Sequence, residues 1–78
     1  MNHITLGKSE VVITDCDFEI VINMDKFKEM MTGLLIEEDV HFADVSMDIG
    51  ESQVYFFNDE TEVAVPLHHA MDIAMHLC

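Results

Sequence analysis

The sequence predicts an α+β fold: two successive βββα units whose strands form an antiparallel sheet, with two helices packed on one of its faces. Three observations predict it. Short segments of alternating apolar character are separated by two-residue turn signals, and each half of the chain closes with apolar residues at helical spacing. Both patterns recur at one fixed offset of 43 residues.

In the first half, residues 3–6 read as a strand and Gly7-Lys8 as a turn with glycine first, which suits a type II′ hairpin. Residues 10–14 form the next strand, Asp15-Cys16 the next turn, and residues 17–22 the third strand. Asn23 is a good N-cap, since its side chain can accept from the free amides of a first helical turn. Met24, Phe27, Met30, Met31 and Leu34 then mark an apolar helix face, with Gly33 where a left-handed terminal residue is wanted.

The second half repeats the plan. Residues 44–49, 52–57 and 60–65 are strands, Gly50-Glu51 and Asn58-Asp59 are turns, and Pro66 falls in the first turn of a helix. Leu67, Ala70, Met71, Ala74 and Leu77 supply that helix's apolar face. Gly7, Ser9, Val11 and Glu19 coincide with Gly50, Ser52, Val54 and Glu62 at the common offset. The expectation is a single domain, 1–78, made of pseudo-repeat units 1–35 and 44–78 and an acidic linker, 36–43. An internal duplication would account for the match, and so would ordinary α+β grammar used twice.

Hairpin pairing assigns faces, because residues opposite each other point the same way and side chains alternate with a period of two. Ile4, Val11, Ile13, Phe18, Ile20 and Ile22 share one face in the first half. Val45, Met47, Ile49, Val54, Phe56, Val63 and Val65 share one in the second. Both sets are apolar and are the expected core. The opposite face carries Asp17 and Glu19 from one half, and Asp44, Asp48, Tyr55, Phe57, Glu60 and Glu62 from the other.

Charge narrows the function. Among 78 residues, 16 are Asp or Glu and 3 are Lys, with no Arg, for a net charge of −13, while half of the chain is apolar. That apolar half sets the chain apart from disordered acidic segments. The dearth of cations argues against direct binding of nucleic acid and against docking on anionic membranes. No apolar run approaches a bilayer span, and the start has no basic region before an apolar block, so the expected compartment is the cytoplasm. Cys16 and Cys78 have no metal spacing and are expected as reduced thiols.

Carboxylates at alternate strand positions stand roughly 6.5–7 Å apart, with neighbouring strands about 4.8 Å away. An array of that kind would complement a basic groove that normally holds DNA or RNA. The plainer reading is an exposed, solvated strand face. It explains less well why lysine is so scarce, since solubility needs a net charge of only about 2–8. Tyr55 and Phe57 among these acids suggest interface anchors, or else the cap of a second small core.

His68, Asp72 and His76 follow one another at helical spacing on the last helix, where two neighbours could chelate Zn²⁺ or Ni²⁺. They are weak candidates beside a solvated helix face, and no metal or other cofactor is expected. The seven methionines read as adaptable core filling. Catalysis has little support: there is no Gly-rich phosphate loop and no Ser or Cys with a base at motif spacing, and open-face carboxylates lack the burial that tunes an acid–base pair. The chain is not expected to be an enzyme.

No particular family's motif is present. In size, acidity and lack of catalytic residues the chain resembles the small phage-encoded inhibitors that block nucleic-acid-binding host proteins, anti-CRISPR proteins among them. The likeness is one of general character and attaches to no single residue. It implies a non-enzymatic acidic binding protein, a nucleic-acid mimic acting in the host cytoplasm on a basic nucleic-acid-binding protein. The expected contacts are Asp17, Glu19, Asp44, Asp48, Glu60 and Glu62 as charge, with Tyr55 and Phe57 as anchors. Two alternatives stand beside it: a self-associating structural or adaptor protein that uses the open sheet face to form a homodimer, and a small metal-binding module using the histidines of the last helix.

Overall fold

A computed structural model describes residues 2–77, and side chains from residue 4 onward. The elements are β1 (Asn2–Leu6), β2 (Glu10–Asp15), β3 (Phe18–Asn23), α1 (Met24–Leu35), β4 (Val40–His41), β5 (Ser46–Ile49), β6 (Gln53–Phe57), β7 (Glu62–Pro66) and α2 (Leu67–Leu77). The fold is α+β, and two βββα units follow one another as the sequence predicts. The strands form two antiparallel sheets rather than one. β1-β2-β3 is the first and β4-β5-β6-β7 the second. A helix and a loop separate the two meanders in sequence, so no hairpin sets a common register between them. β7 nevertheless lies against all three strands of the first sheet. At that seam the Ala64 amide donates to Asp15 Oδ2 across 3.5 Å.

The hairpins form one residue later than the turn signals suggest. Leu6 pairs with Val11, and the Gly7 amide donates to the Glu10 carbonyl at 2.8 Å, so Lys8-Ser9 is the turn. Asp15 pairs with Phe18, Ile49 with Val54 and Phe57 with Glu62, which moves the other three turns in the same way. Each displacement changes the pairing by two residues, so every side chain keeps its face. Glycine-first II′ turns are not what forms, since no glycine takes a positive φ.

The two units share their backbone bonds as well as their element order. Gly50 donates to Gln53 as Gly7 does to Glu10, both at 2.8 Å. The Met24 amide donates to Ser9 and the Leu67 amide to Ser52, both at 2.9 Å. Each of these bonds ties the first residue of a helix to the hairpin loop two strands earlier, which fixes where that helix leaves the sheet.

Helix α1 begins at Asn23, whose Oδ1 accepts from the Asp25 amide at 2.8 Å. It runs through Gly33 and ends in a Schellman turn: Glu38 donates to the Gly33 carbonyl at 2.8 Å and Glu37 to Leu34 at 3.2 Å. The left-handed residue is Glu37, at φ 59°, and not Gly33 as expected. Pro66 closes β7 instead of opening α2, and β7 is an edge strand, where a missing amide is tolerated.

One continuous core joins both halves. Val11, Ile13, Ile20, Ile22, Met47, Val54, Phe56, Val63 and Val65 on the strands meet Phe27, Met30, Met31, Leu34, Ala70 and Ala74 on the helices. The Phe27 ring stacks on Phe56 with centroids 6.3 Å apart, which links α1 to the second sheet. Phe18, expected in this core, has the right phase but sits beside the turn at the sheet's end and is 55% exposed. Among the described residues no helix is long and apolar enough to cross a membrane.

Candidate functional site

The outer face of the second sheet is built row by row from its register. Asp48, Tyr55 and Ala64 stand side by side on β5, β6 and β7, and Ser46, Phe57 and Glu62 make the next row, which His41 on β4 extends. Tyr55 and Phe57 are half-buried. The Tyr55 hydroxyl donates to Gln53 Oε1 at 3.3 Å, and the His41 ring meets the Phe57 ring edge-on at 6.4 Å. Both aromatics are therefore partly engaged by neighbours on their own face, with ring area still open to a partner.

Of the acidic residues expected here, the register places Asp48 and Glu62 on this face. Glu19 lies opposite Thr14 on the first sheet. Asp17 and Glu60 are turn residues and not strand residues, because each hairpin forms one position later. The Glu60 and Thr61 amides both donate to Asn58 Oδ1 at 2.8 Å, which shapes that turn.

Asp44 departs furthest from expectation. The Phe42 amide donates to the Val45 carbonyl, so Asp44 sits in the turn between β4 and β5, off the outer face. Its carboxylate takes both oxygens to Lys26 Nζ on α1, at 2.8 and 2.9 Å. That charge-assisted hydrogen bond holds the Asp44 carboxyl below its ordinary value of 3.8. Lys26 Nζ also lies 5.6 Å from the centre of the Phe42 ring.

Of the 16 acidic side chains, all but Asp15 and Asp48 are exposed. Two ion pairs form among the described residues, Lys26–Asp44 and, when the histidine is protonated, His41–Asp48. Apart from Asp15, which is half-buried, the remaining carboxylates are exposed and form no ion pair among the described residues. This leaves the surface strongly negative over both sheets and their turns.

The weak metal candidates His68, Asp72 and His76 are all exposed on α2. Among the described residues they do not converge as a group of three. A group that does is Asp39, His41 and Asp48, whose ligand atoms lie within 4.8 Å of one another. Sequence reading missed Asp39 and His41 because residues 36–43 look like a linker. The alternation of Asp39 and His41 around one apolar residue was the available signal. No known protein family matches this chain, nor does any curated protein or solved structure.

Proposed function

We propose that this protein is a non-enzymatic acidic binding module that docks on the basic nucleic-acid site of a partner protein and blocks it, as the small inhibitors it resembles do. The observation that carries this reading is the unneutralised surface: a net charge of −13, with almost every carboxylate exposed and two ion pairs among the described residues. Asp48 and Glu62 flank the half-buried Tyr55 and Phe57 on one sheet face, so charge steers the approach and ring area supplies the short-range contact. Asp17, Glu19 and Glu60 extend the field from the neighbouring sheet and turns. Asp44, bonded to Lys26, contributes least.

The test starts with capture from lysate at low and high salt, followed by competition against a labelled nucleic acid on the captured partner. Glu60→Lys with Glu62→Lys should slow association, because long-range attraction acts mainly on that step. Tyr55→Ala should act on dissociation. Non-competitive binding, left intact by the lysine pair, would reduce the acidic face to a solvated surface.

A second reading, self-association, is favoured by Val21, which is 51% exposed beside half-buried Val12 on the open face of the first sheet. It predicts a dimer weakened by Val21→Lys. Sedimentation equilibrium showing only 8.9 kDa at high protein concentration would remove it.

A further inference from the structure

The geometry points to a binding site for a divalent transition-metal ion, Zn²⁺ above all, formed by Asp39, His41 and Asp48. The sheet brings the three together. Asp39 and His41 are two residues apart along one strand direction, so they share a face. Val40 pairs with Met47 and His41 with Ser46, and continuing that register by one residue puts Asp39 across from Asp48. Two carboxylates directly opposite each other on a ladder repel. A cation between them turns that repulsion into a reason for the arrangement.

The donor atoms converge, and His41 and Asp48 are near enough to pair when the histidine is protonated. His41 Nε2 lies 3.3 Å from Asp48 Oδ1. That oxygen is shut off from solvent, yet it receives no hydrogen bond, from His41 or from any other donor. A shielded carboxylate oxygen without a donor is costly to keep. Ligands bound about 2.0–2.2 Å from a tetrahedral Zn²⁺ stand roughly 3.3–3.6 Å from each other, so His41 and Asp48 are already near ligand spacing, and the group, within 4.8 Å, would close slightly around an ion. The Ile49 amide donates to Asp39 Oδ1 at 3.0 Å, which helps to hold that carboxylate in place. Such an outer hydrogen bond fixes a ligating carboxylate. One imidazole and two carboxylates suit a borderline ion such as Zn²⁺ more than Mg²⁺ or Cu⁺, and the fourth position is left to water.

The site does not require the acidic face to dock on anything, and its test is separate. Titrating Zn²⁺ alone into the intact chain, by calorimetry and by the nitrogen shifts of the His41 ring, should show one site per chain. Zn²⁺ should also raise Tm, since an ion that binds only the folded state stabilises it. His41→Ala and Asp48→Asn, both changes at side chains open to solvent on one side, should weaken binding on the order of tenfold or more. His68→Ala with His76→Ala should leave it unchanged. Absence of binding at millimolar Zn²⁺, retention of binding in His41→Ala, or its loss in the α2 double variant would each overturn the proposal.

Discussion

Gly33→Ala should destabilise this protein, although in an open helix interior the same change favours the helix by about 1 kcal/mol. An added Cβ at Gly33 would lie 2.4 Å from Val40 Cγ2 and 3.0 Å from the Glu38 carbonyl oxygen. Neither neighbour can retreat cheaply. Val40 is β-branched, and its backbone is paired with Met47. Glu38 is held by its own amide, which donates to Gly33 at 2.8 Å. Overpacking of this kind costs about 1–3 kcal/mol, and subtracting the helix gain leaves a net loss near 1 kcal/mol. For a domain of this size that lowers Tm by about 4–8 °C. Thermal and urea unfolding followed by circular dichroism would read it. Val40→Ala removes the obstructing methyl, so Gly33→Ala should cost clearly less in that background. A rise in Tm on Gly33→Ala alone, equal to its effect beside Val40→Ala, would refute the steric argument.

Further predictions concern charge and the end of α1. Glu37→Gly relieves a left-handed residue in the Schellman turn and should stabilise the fold by about 1 kcal/mol, seen as a higher denaturant midpoint at unchanged slope. Asp44 should titrate below 3.8 by carboxyl NMR and return toward that value in Lys26→Met. Because its folded value is the depressed one, the Lys26–Asp44 pair stabilises the protein above the unfolded value, and this is lost as pH falls through the folded one. Lys26→Met should therefore cost stability at neutral pH and not at the lowest pH; an equal loss at both would sink the pair as the cause. Finally, Tm should rise from low salt to several hundred millimolar NaCl, since ions screen the repulsion of a −13 surface over about 10 Å at 0.1 M. A flat or falling Tm would mean that the acids are locally compensated.

Side-chain alternation made the core legible while the turns were misplaced. The four hairpins expected from the sequence all form one residue later than turn chemistry suggests, yet Val11, Ile13, Ile20, Ile22, Val54, Phe56, Val63 and Val65 are buried as expected. A pairing shift of two leaves a period-two pattern in phase, so the faces tolerate an error that the turns do not. Glycine misled because it marks close approach here and not a left-handed backbone. A Cβ at Gly7 would meet the Glu10 carbonyl oxygen at 2.8 Å, and one at Gly50 would meet that of Gln53 at 2.9 Å. The residues that do adopt positive φ, Cys16 and Glu37, carry side chains that give no notice of it. Separate sheets were not legible for a related reason: pairing between distant strands has no local signal.

The candidate site was half legible, and the missing half follows from a single short strand. β4 has two residues, too few for alternation to stand out, and the acids around it give residues 36–43 the look of a solvated connection. Once β4 pairs with β5, two consequences follow together. The tight turn from Phe42 to Val45 carries Asp44 away from the outer face to Lys26, and the same pairing draws Asp39 and His41 onto the face that Asp48 already occupies. One ladder of two residues therefore removes a carboxylate from the expected docking surface and assembles a three-donor group in its place. A partner approaching this surface meets aromatic area bounded by Asp48 and Glu62, and an ion held by Asp39, His41 and Asp48 would cancel charge at one edge of that area. Metal occupancy and attraction to a basic partner should accordingly oppose each other: saturating Zn²⁺ should slow association with the partner, and His41→Ala should abolish that slowing.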